Sequence, residues 1–201
     1  NGHINLLDLD DDGLSDRSPD VEITPIGIEK LTYLKLVIML ARETRLYEFP
    51  YDWRRHLEWN ADLLHQAIAR WSANDATRRF VLVGHSMGGM LARTYLAKYP
   101  QEAEERIERV IMLGPPNQGA AIARQLAKTG VFGWVTGKGG MELGPNWNDF
   151  EANLAIPQCP FGIVAGHLPE SNLQNPLVDG ASDFVVSVDE THLAGETDFL
   201  E

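Results

Sequence analysis

A serine with a glycine two residues to either side gives the clearest chemical signal in this sequence: Gly84-His85-Ser86-Met87-Gly88, after the apolar run Phe80-Val81-Leu82-Val83 and before a helically spaced segment beginning at Met90. The stretch reads as strand, sharp turn and helix. A chain that reverses within about two residues strains the residue at the apex and thrusts its side chain outward, and that residue is Ser86. Gly84 and Gly88 are expected because a Cβ at either position would collide with the neighbouring strand or helix. Ser86 is therefore the candidate nucleophile. Met87, at the start of the helix, offers a backbone N–H as a candidate oxyanion donor, and the helix dipole favours the negative charge that develops on an attacked carbonyl.

A serine hydroxyl is a poor nucleophile at neutral pH; it needs a histidine to take its proton and an acid to hold that histidine. For a serine on such a turn the chain order is serine, acid, histidine. The acid belongs in a loop after a late strand, where Asp179-Gly180-Ala181-Ser182-Asp183 leads into Phe184-Val185-Val186-Ser187-Val188. Asp183 immediately precedes that β-branched run, which reads as a strand, and is preferred over Asp179 and Asp189. His192 is the rival base within the chain, but it follows Asp183 so closely that its side chain is expected to point away. His85 must leave the turn in another direction than Ser86.

The elements that would position these groups alternate. Ile28 to Arg42 carries Leu31, Leu34, Ile38 and Ala41 at helical spacing, predicting a helix with that face on the core. Thr44 to Phe49 alternates as a strand and is closed by the turn Pro50-Tyr51-Asp52-Trp53-Arg54. Leu57, Ala61, Leu64, Ile68 and Trp71 mark a second amphipathic helix, with His56 and His65 read as surface or packing histidines. The helix after Ser86 stops at Pro100, and Arg109 to Leu113 is a further strand, ending in Gly114-Pro115-Pro116-Asn117-Gln118-Gly119. A helix to Lys128 follows, and Phe161 to Ala165 is the next strand. This alternation predicts an α/β domain with a mostly parallel sheet, helices on both faces and ligand-binding loops at its carboxyl edge.

Composition bounds the rest. The chain has 201 residues, 44% of them hydrophobic, enough for one domain with a real core. Its net charge of −12 disfavours nucleic acid, and no run approaches the ~18 apolar residues of a membrane span. The single cysteine, Cys159, lies between prolines and reads as a buried structural thiol. No metal or cofactor site is assigned. Asp8, Asp10, Asp12, Gly13 and Asp16 match the start of a calcium loop, but Pro19 stands where the bidentate Glu belongs, so a solvated acidic turn is the competing reading. Residues 1–24 thus form an acidic segment ahead of a core at 25–201. The span 120–157 is either a cap over the site, with Val131 to Val135 facing lipid, or ordinary packing.

Four segments together resemble the α/β-hydrolase superfamily, and within it the bacterial lipases and esterases that shade into the lecithin:cholesterol acyltransferase-like group: Phe49-Pro-Tyr-Asp-Trp-Arg54, Val83-Gly-His-Ser-Met-Gly-Gly89, Met112-Leu-Gly-Pro-Pro-Asn-Gln-Gly119 and Asp179-Gly-Ala-Ser-Asp-Phe-Val-Val186. The resemblance implies Ser86 as nucleophile, Asp183 as triad acid, Met87 as oxyanion donor, no cofactor, and a lipid or other ester substrate whose acyl group passes to water or to an alcohol. A non-catalytic or calcium-dependent binding module on the same fold is the alternative from another class. The resemblance also implies an early strand and oxyanion loop that are not recognised before Pro25, and a last strand and histidine loop expected beyond Glu201. Compartment stays open, a secreted or periplasmic place being favoured over the cytoplasm.

Overall fold

The structure, a computed structural model, describes residues 8–10, 12–18, 20, 22–127, 140, 142–144, 146–169, 175, 177–178 and 180–201. Its elements in chain order are α1 (Lys30–Glu43), α2 (Leu57–Ser72), β1 (Phe80–His85), α3 (Met87–Lys98), α4 (Pro100–Arg106), β2 (Ile107–Leu113), α5 (Ala121–Ala127), α6 (Trp147–Glu151), β3 (Phe161–Val164), α7 (Val188–Thr191) and β4 (Asp198–Leu200). The four strands make one parallel sheet in the order β1-β2-β3-β4. Each crossover runs through helix or loop, so all four strands point their carboxyl ends at one edge. At that edge His85 pairs with Leu113, Leu113 with Val164, and Val164 with Leu200.

Strand alternation decides which side chains form the core. Phe80, Val110, Met112, Phe161 and Ile163 turn to the helix-covered side, where they meet Leu57, Ala61, Leu64 and Ile68 of α2 and Met90, Leu91 and Tyr95 of α3. Each such side chain contributes about 1.5–3 kcal/mol through burial. The predicted inward face of α2 is the observed one. On the other side of β1, Val81 and Val83 stay exposed. The helix after Ser86 ends at Lys98, and Pro100 opens α4 at its first turn, where a missing N–H costs nothing.

Three expectations fail. The helix over 28–42 forms as α1, but its predicted core face is outside: Leu31 is 94% exposed, and Leu34, Ile38 and Ala41 are exposed too. Tyr33, Leu36, Val37 and Leu40 face the protein instead. Two apolar stripes share this helix, so periodicity alone cannot choose between them.

Thr44 to Phe49 forms no strand, for no strand among the described residues pairs with it. Its alternate side chains serve an aromatic cluster: Tyr47 stacks on Trp71 at 4.8 Å and Phe49 meets the same ring edge-on at 6.4 Å.

The β-branched run after Asp183 forms no strand either. Phe184 takes φ 84°, and a capping box between Ser187 and Glu190 starts α7 at Val188. The further strand expected after the acid is β4, which begins at Asp198, before the position foreseen for it. The Val131 to Val135 segment and Asp179 lie outside the described residues.

Candidate active site

The turn between β1 and α3 has the geometry that its sequence requires. Ser86 sits at φ 51° and ψ −122°, a conformation that a side-chain-bearing residue holds only where its surroundings enforce it. Two observations identify the enforcement. The Ser86 N–H donates to the Leu113 carbonyl at 2.8 Å, clamping the turn to the end of β2. A Cβ on Gly84 would lie 2.5 Å from the Gly88 carbonyl carbon and oxygen and 2.7 Å from Gly89 N, so strand and helix touch through bare backbone.

Gly88, predicted to be equally constrained, is not. A Cβ there would meet only the Tyr51 hydroxyl, at 3.9 Å. The second tight glycine is Gly89, whose Cβ would press on Pro115 at 3.1 Å and Met112 at 3.3 Å. The helix turns its crowded face to β2 one residue later than the motif suggests.

The Ser86 side chain does not cap α3, and among the described residues its hydroxyl has no hydrogen-bond partner. Met87 is the first residue of that helix, where a backbone N–H has no intrahelical acceptor. A bound anionic oxygen would find there an unclaimed donor and the positive end of a helix of 12 residues.

Asp183 reaches the same edge from the long segment after β3. Its Oδ1 accepts from the Val185 and Val186 N–H groups at 2.9 and 2.8 Å, a local turn that fixes the carboxylate. The residue packs across the ends of two strands: a Cβ on Gly114, after β2, would lie 3.3 Å from Asp183 Oδ2, and one on Gly166, after β3, 3.4 Å from Asp183 Cβ. Its charge is felt at the serine turn. Burial lowers the pKa of His85 below the ordinary histidine value, and the Asp183 carboxylate pulls it partly back.

No described imidazole reaches Ser86. His85 shares a 2.6 Å hydrogen bond between Nδ1 and the Tyr33 hydroxyl. His56 pairs with Glu142 at 2.8 Å, His65 with Glu102 at 2.6 Å, and His167 with Glu201 at 3.1 Å. His192 follows α7, bonds Glu196 Oε1 at 2.8 Å and stacks on Phe199 at 4.0 Å, so its Nδ1 is engaged away from the serine. Asp189 is exposed on α7.

The acidic N-terminal segment is built around a cation of the protein itself. Arg54, 3% exposed, donates to both oxygens of Asp52 at 2.9 and 2.6 Å and to Asp16 Oδ1 at 2.9 Å. Burial works against the Asp16 carboxylate, yet the Ile23 N–H and the Arg54 guanidinium hold its pKa below the ordinary value. Asp12 accepts from Leu14 N, Ser15 N and Ser15 Oγ within its own turn. Asp12 and Asp16, two of the residues read as calcium ligands, thus turn their oxygens to other partners, and no metal-binding cluster occurs among the described residues.

Several residues of the site went unnoticed in the sequence. Tyr33 and Tyr51 flank the serine turn, and burial raises both hydroxyls above the ordinary tyrosine value. Arg93, buried in α3, donates to the Ala155 carbonyl at 2.9 Å and to Asn117 Oδ1 at 3.0 Å; burial lowers it to about 10, with Glu151 opposing. Asn117 passes the link to the Thr191 carbonyl at 2.7 Å. The only sequence signal was an arginine inside an otherwise apolar helix. Cys159 is half-buried against the core, and burial raises its thiol, in keeping with a structural role.

Residues 18–135, more than half of the chain, match the family model described as lecithin:cholesterol acyltransferase. The chain belongs to the lecithin:cholesterol acyltransferase family. Among solved structures, this acyltransferase-family chain is similar to the mature form of the Bacillus licheniformis lipase BlEst2, with 17% identity over 76% of this chain and 69% of that one at a TM-score of 0.55. It is also similar to the phospholipase PlaB from Legionella pneumophila, with 20% identity over 79% of this chain and 41% of that one at a TM-score of 0.51. The chain therefore spans less than half the length of the phospholipase. These likenesses show the α/β-hydrolase fold. No curated protein matches the sequence. Among the described residues no helix is long and apolar enough to cross a membrane.

Proposed function

We propose that this family member cleaves or transfers the acyl group of a lipid carboxylic ester through an acyl-enzyme on Ser86. The observation that carries the reading is the strained, uncapped Ser86 with its hydroxyl unpartnered at the head of α3. Strain of this kind costs on the order of 1–3 kcal/mol and persists where it serves chemistry. Ser86 Oγ attacks the ester carbonyl, the carbonyl oxygen becomes an oxyanion received by Met87 N–H, and the alcohol leaves with the proton that the base took from Ser86. Water or an acceptor alcohol then attacks the acyl-enzyme and regenerates the serine. Asp183 is the acid that holds the base.

The base is a histidine outside the described residues. The direction of β4, parallel to β3 and towards the edge that holds Ser86 and Asp183, supports a base carried on a segment that follows β4. Labelling with a fluorophosphonate tests the scheme, comparing this chain with a parent polypeptide extended at both ends and with Ser86→Ala in each. Labelling of the extended form alone, abolished by Ser86→Ala, is the expected result. Labelling of this chain would make His192 or His167 the base. Labelling of neither would overturn the serine mechanism in favour of a binding module.

A further inference from the structure

The two tyrosines beside the serine turn differ in what their hydroxyls do. Tyr33 Oη is committed to His85 Nδ1 at 2.6 Å. The Tyr51 hydroxyl has no hydrogen-bond partner among the described residues, and its oxygen is not closed off from solvent although the side chain is largely sheltered. It lies 3.9 Å from the place of a Cβ on Gly88, two residues after Ser86 and in the first turn of α3. Burial, with the neighbouring Tyr33 hydroxyl as a lesser cause, holds it well above the ordinary tyrosine value, so at neutral pH it keeps its proton and can donate. The segment that carries it is fixed. The Tyr51 ring lies nearly parallel to Phe49 with centroids 6.4 Å apart. Asp52, the next residue, is buried with both carboxylate oxygens held by Arg54, and its carbonyl accepts from Asn60 Nδ2 at 2.9 Å.

From this we infer that Tyr51 is a further catalytic residue, whose hydroxyl donates, together with the Met87 N–H, to the oxyanion that forms when Ser86 attacks the ester. The inference rests on the acyl-enzyme reading above. In the step concerned, Ser86 Oγ bonds to the carbonyl carbon and the carbonyl π pair moves onto the oxygen. Tyr51 gives that oxygen a hydrogen bond and keeps its own proton throughout. Sites of acyl transfer gather several donors around the oxyanion, and Met87 N–H is one. A donor held in a fixed frame is the kind that helps most, because nothing has to reorganise as the charge appears. The charge exists only in the transition state and the tetrahedral intermediate, so the hydroxyl acts on kcat and hardly on KM. Tyr33 cannot take this place while its hydroxyl is bonded to His85.

The test uses the parent polypeptide extended at both ends, with fluorophosphonate labelling of Ser86, steady-state hydrolysis of a p-nitrophenyl ester and thermal melts. Tyr51→Phe is expected to lower kcat about a hundredfold and to leave KM nearly unchanged. Its melting midpoint should stay that of the parent, because the lost hydroxyl has no partner in the protein. The hemiketal that a trifluoromethyl ketone forms on Ser86 should ionise at higher pH in Tyr51→Phe, a shift that a purely structural hydroxyl would not cause. Tyr99→Phe, which removes a bond to Asp62 at the opposite end of α3, should keep the parent kcat. A parent that labels while Tyr51→Phe turns over as fast, or loses only in KM, overturns the donor assignment and leaves the serine reading standing. A lowered melting midpoint in Tyr51→Phe also overturns it, since the hydroxyl would then be bonded within the protein. A parent that does not label at Ser86 overturns the serine reading and this inference with it.

Discussion

Gly84 and Gly88 occupy equivalent places in the serine motif, yet opposite effects are expected when each becomes alanine. The Cβ introduced by Gly84→Ala would lie 2.5 Å from the carbonyl carbon and oxygen of Gly88, a shortfall of about 0.9 Å against the 3.4 Å at which ordinary contact begins. The atoms in the way are backbone of the first turn of α3, so no rotamer change relieves the clash. The helix must retreat from β1, at a cost of about 3 kcal/mol, the upper end of ordinary overpacking. For a domain of ordinary stability that is a large fraction of the total. The retreat also breaks the clamp between Ser86 N and Leu113 O. Gly88→Ala meets only the Tyr51 hydroxyl at 3.9 Å, in helical backbone, and should stabilise by about 0.5–1 kcal/mol. Urea denaturation followed by circular dichroism measures both. A Gly84→Ala protein within 0.5 kcal/mol of the parent, or a Gly88→Ala protein as unstable as Gly84→Ala is expected to be, would refute the packing argument.

Three further outcomes follow from the site. Asp16→Ala removes one acceptor of the Arg54 guanidinium while Asp52 keeps its two bonds, and should cost about 1.5–3 kcal/mol in the same assay, the worth of a hydrogen bond between charged groups. Because the folded carboxyl of Asp16 titrates below its ordinary value of 3.8, its contribution is present above that pH and lost as pH falls through the folded pKa. The stability gap between the parent and Asp16→Asn should therefore hold from neutral pH down to 3.8 and narrow only below it, and a gap that widens on acidification contradicts the assignment. Calcium added to millimolar levels, or removed with chelator, should leave the melting temperature unchanged, since the oxygens of Asp12 and Asp16 are already engaged. In Asp183→Asn the His85 imidazole loses the charge that raises its pKa, so an NMR titration should find it lower still; an unmoved or raised value separates the two residues.

Local sequence determined what local physics can fix. The apolar run, the two glycines and the helical spacing after Ser86 specify a strand, a strained apex and a helix, because no other arrangement suits that succession of small and apolar residues. The inner face of α2 was equally legible, since its apolar residues make one stripe. The place of Asp183 in a loop ahead of the β-branched run was legible too, although that run proved to be a turn and a capped helix once the Asp183 carboxylate had drawn back the Val185 and Val186 N–H groups. Tertiary structure alone decided which stripe of α1 faces inward, because two stripes compete and only packing selects one. It decided that Thr44 to Phe49 is no strand, because a strand exists only through its partner. It also turned Asp16 from a candidate calcium ligand into the partner of Arg54, an ion pair across 38 positions of sequence. Charges so far apart in the chain meet only after the sheet and its helices have brought their segments together.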